Sequence, residues 1–236
     1  MKSRNEAEAK TKHAETERGS RSARGEATRQ TLMRAAETLI ADRGIESVTI
    51  REILDLAEQK NTSALQYHFG NLRGLIAAIQ RDRAAETVAK REELLAALLA
   101  RTEEPTLREL CELMVRPAFE LASADAGFRN YIQAFGHQLA LIESSALDRV
   151  GRGGAGGSSG QAVAERLKAT LTGLDEATYR QRMEFAVRLC AASIYQHAQQ
   201  RSAFRGKKAE LFISSLIDAL AGLLSAPEST ESRALR

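Results

Sequence analysis

Tryptophan is absent from the chain, and only three prolines and two cysteines occur among its 236 residues. The shortage of proline, together with abundant alanine and leucine, favours helix over strand. Cys111 and Cys190 lie far apart and outside any CxxC motif, which predicts buried reduced thiols rather than a disulfide framework. The sequence has no apolar run long enough to span a bilayer and no apolar signal segment at its start, so we expect no membrane association and a cytoplasmic location.

The usual marks of catalysis and metal binding are also missing. None of the four histidines has metal-ligand spacing, and none follows an acidic residue by three positions, as di-iron helical bundles require. Residues 151–156 match GxGxxG and residues 156–160 match GxSxG, but a predicted helix precedes them where a nucleotide site or a nucleophile elbow needs a strand. We therefore expect no enzyme activity, no metal site and no cofactor.

Apolar residues recur at helical spacing along most of the chain, and no segment shows sustained two-residue alternation. Two capping boxes mark helix starts, Thr49 with Glu52 and Thr106 with Glu109. The predicted helices span about 26–43, 49–56, 62–68, 72–99, 125–141, 158–172, 175–202 and 208–224, and a further helix starts at Thr106 and is kinked at Pro117.

Three segments are predicted to lack regular structure. Residues 1–25 carry seven Lys or Arg against four Glu and almost no large apolar side chain, which predicts a disordered basic arm. Either this arm is solvated, or Arg18, Arg21 and Arg24 reach DNA phosphates or a minor groove. Residues 151–160 predict a flexible glycine-rich loop, and residues 227–236 a frayed tail.

Residues 26–75 read as three short helices in series, which is the pattern of a helix-turn-helix. In this motif one helix braces across the DNA backbone and the next lies in the major groove, so its outward face must be polar. The third predicted helix satisfies this requirement, because Leu65 and Phe69 supply an inward face while the other positions are small or polar: Asn61, Thr62, Ser63, Ala64, Gln66, Tyr67 and His68.

The run from Thr28 to Ile76 resembles the TetR family of transcription regulators. The positions similar to that family are Arg29, Ala36, Gly44, Thr49, Ile53, Ala57, Tyr67, Phe69 and Leu75, and residues 61–70 resemble one branch of it. The sequence departs from the family pattern at Glu58, where glycine is usual, at Gln66, where tyrosine is common, and at Leu72-Arg73, where a basic residue usually comes first.

The resemblance implies an all-α fold with an N-terminal helix-turn-helix DNA-binding domain at 26–75 and a C-terminal helical ligand-binding and dimerisation domain at 76–226. Candidate phosphate contacts are Arg29, Lys60, Tyr67, His68 and Arg73. Candidate base contacts are Thr62, Ser63, Ala64 and Gln66. Thr49 and Asn61 complete the expected DNA-binding set.

The resemblance also implies that the last two long helices pair across a two-fold axis as a four-helix bundle. Their apolar stripes are Met183, Val187, Cys190, Ile194 and Ala198 on one and Phe212, Leu216, Leu220 and Leu223 on the other, with the small residues Ala191, Ala192, Ala219 and Gly222 nearby. The alternative is that these stripes form internal core. The expected ligand pocket is lined by Met114, Phe119, Phe128, Tyr131, Phe135 and His137.

The function that follows is a homodimeric, ligand-responsive transcription regulator, most readily a repressor released from a palindromic double-stranded DNA operator by a small apolar effector. The sequence leaves activation open as well. A helical-bundle enzyme acting on an apolar substrate would need convergent titratable residues, which the sequence does not offer. A nucleoid-type or scaffold protein without ligand control would show no sequence specificity and a filled C-terminal core.

Overall fold

The computed structural model describes residues 2–61, 63–141, 145–151, 156–200 and 202–235; for residues 2–22, 139 and 149–151 it describes the backbone alone. Every regular element in these ranges is a helix, which confirms the predicted all-α class. The helices are α1 (Lys2–Arg43), α2 (Ile50–Leu56), α3 (Ser63–Phe69), α4 (Leu72–Leu99), α5 (Leu107–Ala124), α6 (Ala126–Leu141), α7 (Ala146–Gly151), α8 (Gly157–Thr170), α9 (Glu176–Ala198), α10 (Gly206–Ser225) and α11 (Thr230–Ala234), with a short 3₁₀ helix at Ile45–Ser47.

The chain divides into two compact units, Met1–Ile79 and Gln80–Arg236. The division falls inside α4, so this helix begins in the first unit and continues into the second. The sequence placed the domain boundary at residues 75 and 76.

The first unit is a small helical core in which α1 packs against α2 and α3. Its fully buried side chains include Leu32, Ile40, Ile53, Leu65 and Leu75. Apolar residues of α1, α2, α3 and α4 are therefore buried in this unit, and this burial stabilises the short helices α2 and α3.

Helix α2 starts as its capping box predicts. The Thr49 hydroxyl accepts a hydrogen bond from the Glu52 N–H, and the Glu52 carboxylate accepts one from the Thr49 N–H at 2.9 Å. Val48 and Ile53 are both buried, as expected of a hydrophobic staple. These local contacts define the first residue of α2 before any tertiary packing is considered.

The junction of α3 and α4 requires a glycine. A Cβ atom added to Gly74 would overlap the carbonyl oxygen of Phe69. The Asn71 side chain accepts a hydrogen bond from the Gly74 N–H at 2.9 Å, which caps the start of α4. The missing side chain at position 74 therefore lets α4 begin directly against the end of α3.

Helix α1 corrects the expectation of a disordered arm over 1–25 and a helix start near Glu26, because it begins at Lys2. Residues 2–25 contain no proline and are rich in alanine, glutamate, lysine and arginine, which are strong helix formers. The prediction relied on the lack of an apolar face, but intrinsic propensity does not depend on such a face.

The second unit is built around α9, which packs against α5, α6, α7 and α10. Three helix starts in this unit follow their predicted caps. Thr106 and Glu109 form the capping box of α5, Asp125 accepts hydrogen bonds from Gly127 and Phe128 at the start of α6, and Asp175 accepts one from Thr178 at the start of α9. Helix α5 continues through Pro117 to Ala124.

Two predicted irregular segments are shorter than expected. Residues 157–160 form the first turn of α8, in which the Ser159 hydroxyl donates to the Val88 carbonyl at 3.0 Å, while residues 152–155 lie outside the described part of the chain. In the tail, α11 replaces the predicted fraying, since the Ser229 side chain accepts from the Ser232 N–H and caps it. Within the described ranges, no helix combines the length and apolar composition of a membrane span.

Candidate DNA-binding surface and ligand cavity

Helix α3 presents a polar face to solvent. Ser63 and Gln66 are exposed and Tyr67 is 84% exposed, whereas Leu65, on the opposite side, is 2% exposed. Tyrosine and glutamine side chains offer hydrogen-bond donors and acceptors, and in these exposed positions those groups are accessible. The outer face of α3 is thus available to a partner.

The residues just before α3 have different roles. The Asn61 side-chain oxygen accepts a hydrogen bond from the Ser63 N–H at 2.9 Å, so Asn61 organises the start of the helix. The hydrogen bond from the Ser63 N–H to Asn61 identifies Asn61, rather than Ser63, as the capping residue, a choice that the sequence alone left open. Lys60 is exposed, Ala64 is half-buried, and Thr62 lies outside the described residues.

Two of the expected phosphate ligands are engaged inside the first unit. The Arg29 side chain is 20% exposed, pairs with Glu26 at 3.1 Å and places its guanidinium 5.8 Å from the centroid of the Phe69 ring. His68 is half-buried, and its ring lies edge-on to that of Tyr67, with 5.0 Å between their centroids. Arg29 therefore connects α1 to α3, and any contact it makes to DNA competes with this role.

Thr49 is likewise occupied by the cap of α2. Its N–H and hydroxyl, with the Arg43 guanidinium, hydrogen-bond the Glu52 carboxylate and lower the pKa of Glu52 to about 2. Arg73, by contrast, is exposed in the first turn of α4. Lys60, Ser63, Gln66, Tyr67 and Arg73 are thus expected DNA contacts whose side chains are exposed, as is Asn61, which organises the start of α3.

Helix α2 ends in a Schellman motif with an unusual residue. The Gln59 N–H donates to the Leu54 carbonyl at 2.9 Å and the Glu58 N–H to the Asp55 carbonyl at 3.1 Å. This motif places its C′ residue in the left-handed region, where glycine is usual, and Glu58 has a φ of 54° there. The departure from the family pattern at Glu58 therefore carries backbone strain.

The second unit contains a cavity of about 530 Å³ between α4, α5, α6, α7, α8 and α9. Its volume and its mostly apolar walls are those of a small-molecule site. Of the residues expected to bind ligand, Met114, Phe128 and Tyr131 line it.

The other three expected pocket residues lie elsewhere. Phe119 packs edge-on against Phe204, with 5.5 Å between ring centroids, and Phe135 is buried beside Tyr131. The His137 ring lies 5.3 Å from that of Tyr195. Sequence periodicity identified the apolar helices correctly but not which of their side chains point into the space between them.

The α9 stripe that was expected at a dimer interface faces the interior instead. Met183, Val187, Cys190 and Ile194 line the cavity, and Ala198 is buried. On α10, Leu216 and Leu220 are buried and Phe212 stacks on His197 with 3.7 Å between ring centroids. These residues therefore belong to the interior of the subunit, which was the alternative to a dimer interface that the sequence left open.

A different face of α9 and α10 is exposed and apolar. Phe185 is 51% exposed and Leu211 is 68% exposed. Small exposed residues on the same helices are Ala192, Ala219 and Gly222. Both helices therefore expose apolar side chains on a face other than the buried one, and the sequence pattern could not separate the two faces.

The sequence did not single out the polar cavity residues of α4, Thr87 and Arg91. Both are 7% exposed, and burial lowers the pKa of the Arg91 guanidinium to about 10, so it stays charged at neutral pH. The available signal was the spacing of Arg83, Thr87 and Arg91, which places three polar residues on one face of a helix whose apolar residues are also buried.

The thiols are unreactive by environment. Burial raises the pKa of Cys111 to about 11 and that of Cys190 to about 12, and both are free thiols. Among the described residues, no group of three or more His, Cys, Asp or Glu side chains is arranged to hold a metal ion.

No protein-family model matches the chain, and no curated protein matches it. Among solved structures it is similar to RolR, crystallised in complex with the ligand resorcinol, at 17% identity over 88% of this chain and 98% of that chain, with a TM-score of 0.46. It is also similar to GusR of Salmonella enterica, at 19% identity over 84% and 96% of the two chains, with a TM-score of 0.42. These similarities are distant, so the geometry of the two units carries the functional proposal.

Proposed function

We propose that this protein is a ligand-responsive DNA-binding transcription regulator of the TetR type. The observation that carries the proposal is the outer face of α3, where Ser63, Gln66 and Tyr67 are exposed around a helix anchored by the buried Leu65. A short helix that is fixed on one side and polar on the other fits the major groove of DNA.

The side chains of this surface divide into two roles. Gln66 reads a base, because its amide can both donate and accept and matches the edge of adenine. Lys60, Tyr67 and Arg73 contact phosphates and position the helix, which adds affinity without sequence preference.

A regulator of this kind needs two reading surfaces at a fixed spacing, and therefore a two-fold symmetric dimer. The surface proposed for pairing is the exposed face of α9 and α10 around Phe185 and Leu211. The nearby small residues Ala192, Ala219 and Gly222 permit close approach of helices from a second copy. We therefore still propose a homodimer formed through α9 and α10, but through their exposed face and not through the apolar stripes predicted from the sequence.

The cavity of the second unit is the proposed effector site. Its walls include residues of α4, a helix that begins in the first unit, so a bound molecule has a direct route to alter the reading surfaces. An effector that binds better to a state unfit for DNA shifts the population towards that state and releases the operator, which gives a repressor.

Selection of bound duplexes from a random pool tests the DNA-binding proposal. We expect an enriched palindrome whose half-sites are about one helical turn, or a multiple of it, apart. Absence of an enriched sequence, with uniform binding to all duplexes, would contradict the proposal and favour a nucleoid-type protein.

The selection is repeated with Gln66→Ala and, as a control, Gln200→Ala, which changes an exposed glutamine of the second unit. We expect Gln66→Ala to lose about 1–3 kcal/mol of discrimination at one base pair of each half-site. Even weakening across all sequences would show that Gln66 does not read a base, and Gln200→Ala should select the original palindrome.

A further inference from the structure

One face of α1 packs on α3 and on the core of the first unit. A Cβ atom added to Gly25 would lie 3.8 Å from His68 Cε1. The Arg29 guanidinium lies 5.8 Å from the centroid of the Phe69 ring, at the end of α3. Leu32, about two turns from Gly25 along the same face, is fully buried. Gly25, Arg29 and Leu32 therefore mark the face of α1 that contacts α3 and the core.

This face continues towards the N-terminus without a break, because α1 begins at Lys2. With about 3.6 residues per turn and a rise of about 1.5 Å per residue, positions 21 and 18 lie about one and two turns before Gly25, or roughly 6 and 10 Å further along the helix axis. Both positions repeat the spacing of Gly25 and Leu32, and both are arginine. The face that meets α3 at Gly25 thus carries basic residues over the two preceding turns.

Charges of opposite sign are segregated around this part of α1. Measured by helical rotation from Gly25, four of the seven Lys and Arg residues in positions 1–25 lie within about 60°, and the other three lie at about 100° or more. All four glutamates of the segment lie at about 80° or more. The four residues close to the direction of Gly25 form a basic stripe: Arg4, Lys10, Arg18 and Arg21. The cations outside it are Lys2, Lys12 and Arg24.

A row of cations with no glutamate on the same stripe fits a linear polyanion. Duplex DNA carries one negative charge per about 1.7 Å of its axis. The basic stripe extends over about 25 Å from position 4 to position 21, whereas a second copy of it would be repelled by like charge. Gly25 also brings the stripe near the proposed reading surface, because its neighbour His68 is adjacent to the exposed Tyr67 on α3.

We infer that the basic stripe of α1 binds the phosphate backbone of duplex DNA next to the base pairs that α3 reads. The inference rests on the proposed function and extends it, because it adds a second, sequence-independent binding surface to the reading helix. Such contacts add affinity and salt dependence but carry no base code. Of the three arginines that the sequence suggested for this role, Arg18 and Arg21 belong to the stripe and Arg24 does not.

The salt dependence of DNA binding tests the inference. The unmodified protein and the triple variant Lys10→Gln/Arg18→Gln/Arg21→Gln are titrated with the selected palindromic duplex over a range of sodium chloride concentrations. Each phosphate contact contributes about 0.9 to the slope of log K against log salt, so the loss of three contacts from each protomer of a dimer lowers the slope by up to about five. We also expect random-pool selection with this variant to yield the same palindrome, because phosphate contacts do not read bases.

A second triple variant is the matched control, since it removes the same charge from the same helix outside the stripe: Lys2→Gln/Lys12→Gln/Arg24→Gln. Glutamine forms helix nearly as well as lysine and arginine, so both variants keep α1 helical. We expect the slope to fall by at least about two more in the stripe variant than in the control. A smaller difference would overturn the inference, because a solvated arm acts only through its net charge.

The two proposals fail in different ways. If the DNA-binding proposal fails, the unmodified protein enriches no palindrome, and a duplex of arbitrary sequence then serves for the titrations. If only the present inference fails, the palindrome is enriched but the two triple variants show the same salt slope. A protein that binds no duplex at all would contradict both.

Discussion

Glu58 is the residue at which the candidate DNA-binding unit departs most from ideal backbone geometry. Because its φ of 54° is natural for glycine, Glu58→Gly should relieve strain and raise the free energy of unfolding by about 1 kcal/mol. Urea denaturation measures the change. Glu58→Ala removes the same charge but keeps the strain, so it should leave stability within about 0.5 kcal/mol of the unmodified protein. Equal effects of the two substitutions would show that charge, not backbone strain, is responsible.

Glu184 connects acid stability to one wall of the cavity. Burial alone would raise the pKa of its carboxyl group, but hydrogen bonds from the Leu147 and Ala146 N–H groups, from Ser145 and from Arg188 outweigh burial and lower it from 4.5 to about 2. Because the folded-state value is the lower one, this stabilisation is complete above pH 4.5 and is lost as the pH falls towards 2. Leu147 lies in the cavity wall, so the pairing also positions α7.

The matched variant is Glu184→Gln, which lacks the titrating group. Its melting temperature should be lower than that of the unmodified protein at about pH 6, and the difference should shrink as the pH approaches about 3. A difference that stays constant over this range would contradict the role given to Glu184.

At the scale of helices, the junction between α3 and α4 depends on a missing side chain. Gly74→Ala should destabilise the protein by about 1–3 kcal/mol, because the new methyl group overlaps the Phe69 carbonyl and must push the two helices apart. Thermal unfolding measures the loss, and Gly173→Ala is the control, since no atom lies within 4 Å of a Cβ added there. Equal stabilities of the two variants would contradict the close approach.

Helix starts were predictable from sequence because their signals are local. Thr49, Thr106 and Asp175 each form the cap expected of them, with partners three residues away. The start of α1 was not predictable in the same way, since an apolar face was used as the criterion for a segment that has none. Intrinsic propensity and apolar periodicity gave different answers there, and the structure follows propensity.

The orientation of helices was less predictable than their existence. Helix α9 has two apolar faces, one with Met183 and Cys190 inside the cavity and one with Phe185 exposed, and spacing alone does not show which face is internal. Arg91 was missed because a charged helical residue is expected at the surface. The Arg91 guanidinium donates to the carbonyl of Leu113, which lies 22 positions further along the chain, and contacts between such distant residues leave no periodic signal.

For the whole molecule, the exposed face of α9 and α10 should determine oligomeric state. Leu211→Asp places a charge on this face and should shift the protein from dimer to monomer in sedimentation equilibrium, because an unpaired charge at the centre of an apolar interface is costly. Leu56→Asp is the matched control, since Leu56 is 50% exposed on α2, in the other compact unit. Dissociation by both variants, or by neither, would contradict the proposed interface.

The central claim is that the outer face of α3 enters duplex DNA twice in each dimer. Tyr67→Cys, at a position that is 84% exposed, can carry a DNA-cleaving label, since burial keeps the native Cys111 and Cys190 thiols unreactive. On a duplex selected from a random pool, we predict two cleavage clusters separated by about one helical turn or a multiple of it, and none from a label at Glu103→Cys. A single cluster, cleavage spread evenly along the duplex, or equal cleavage from both labelled proteins would contradict the claim.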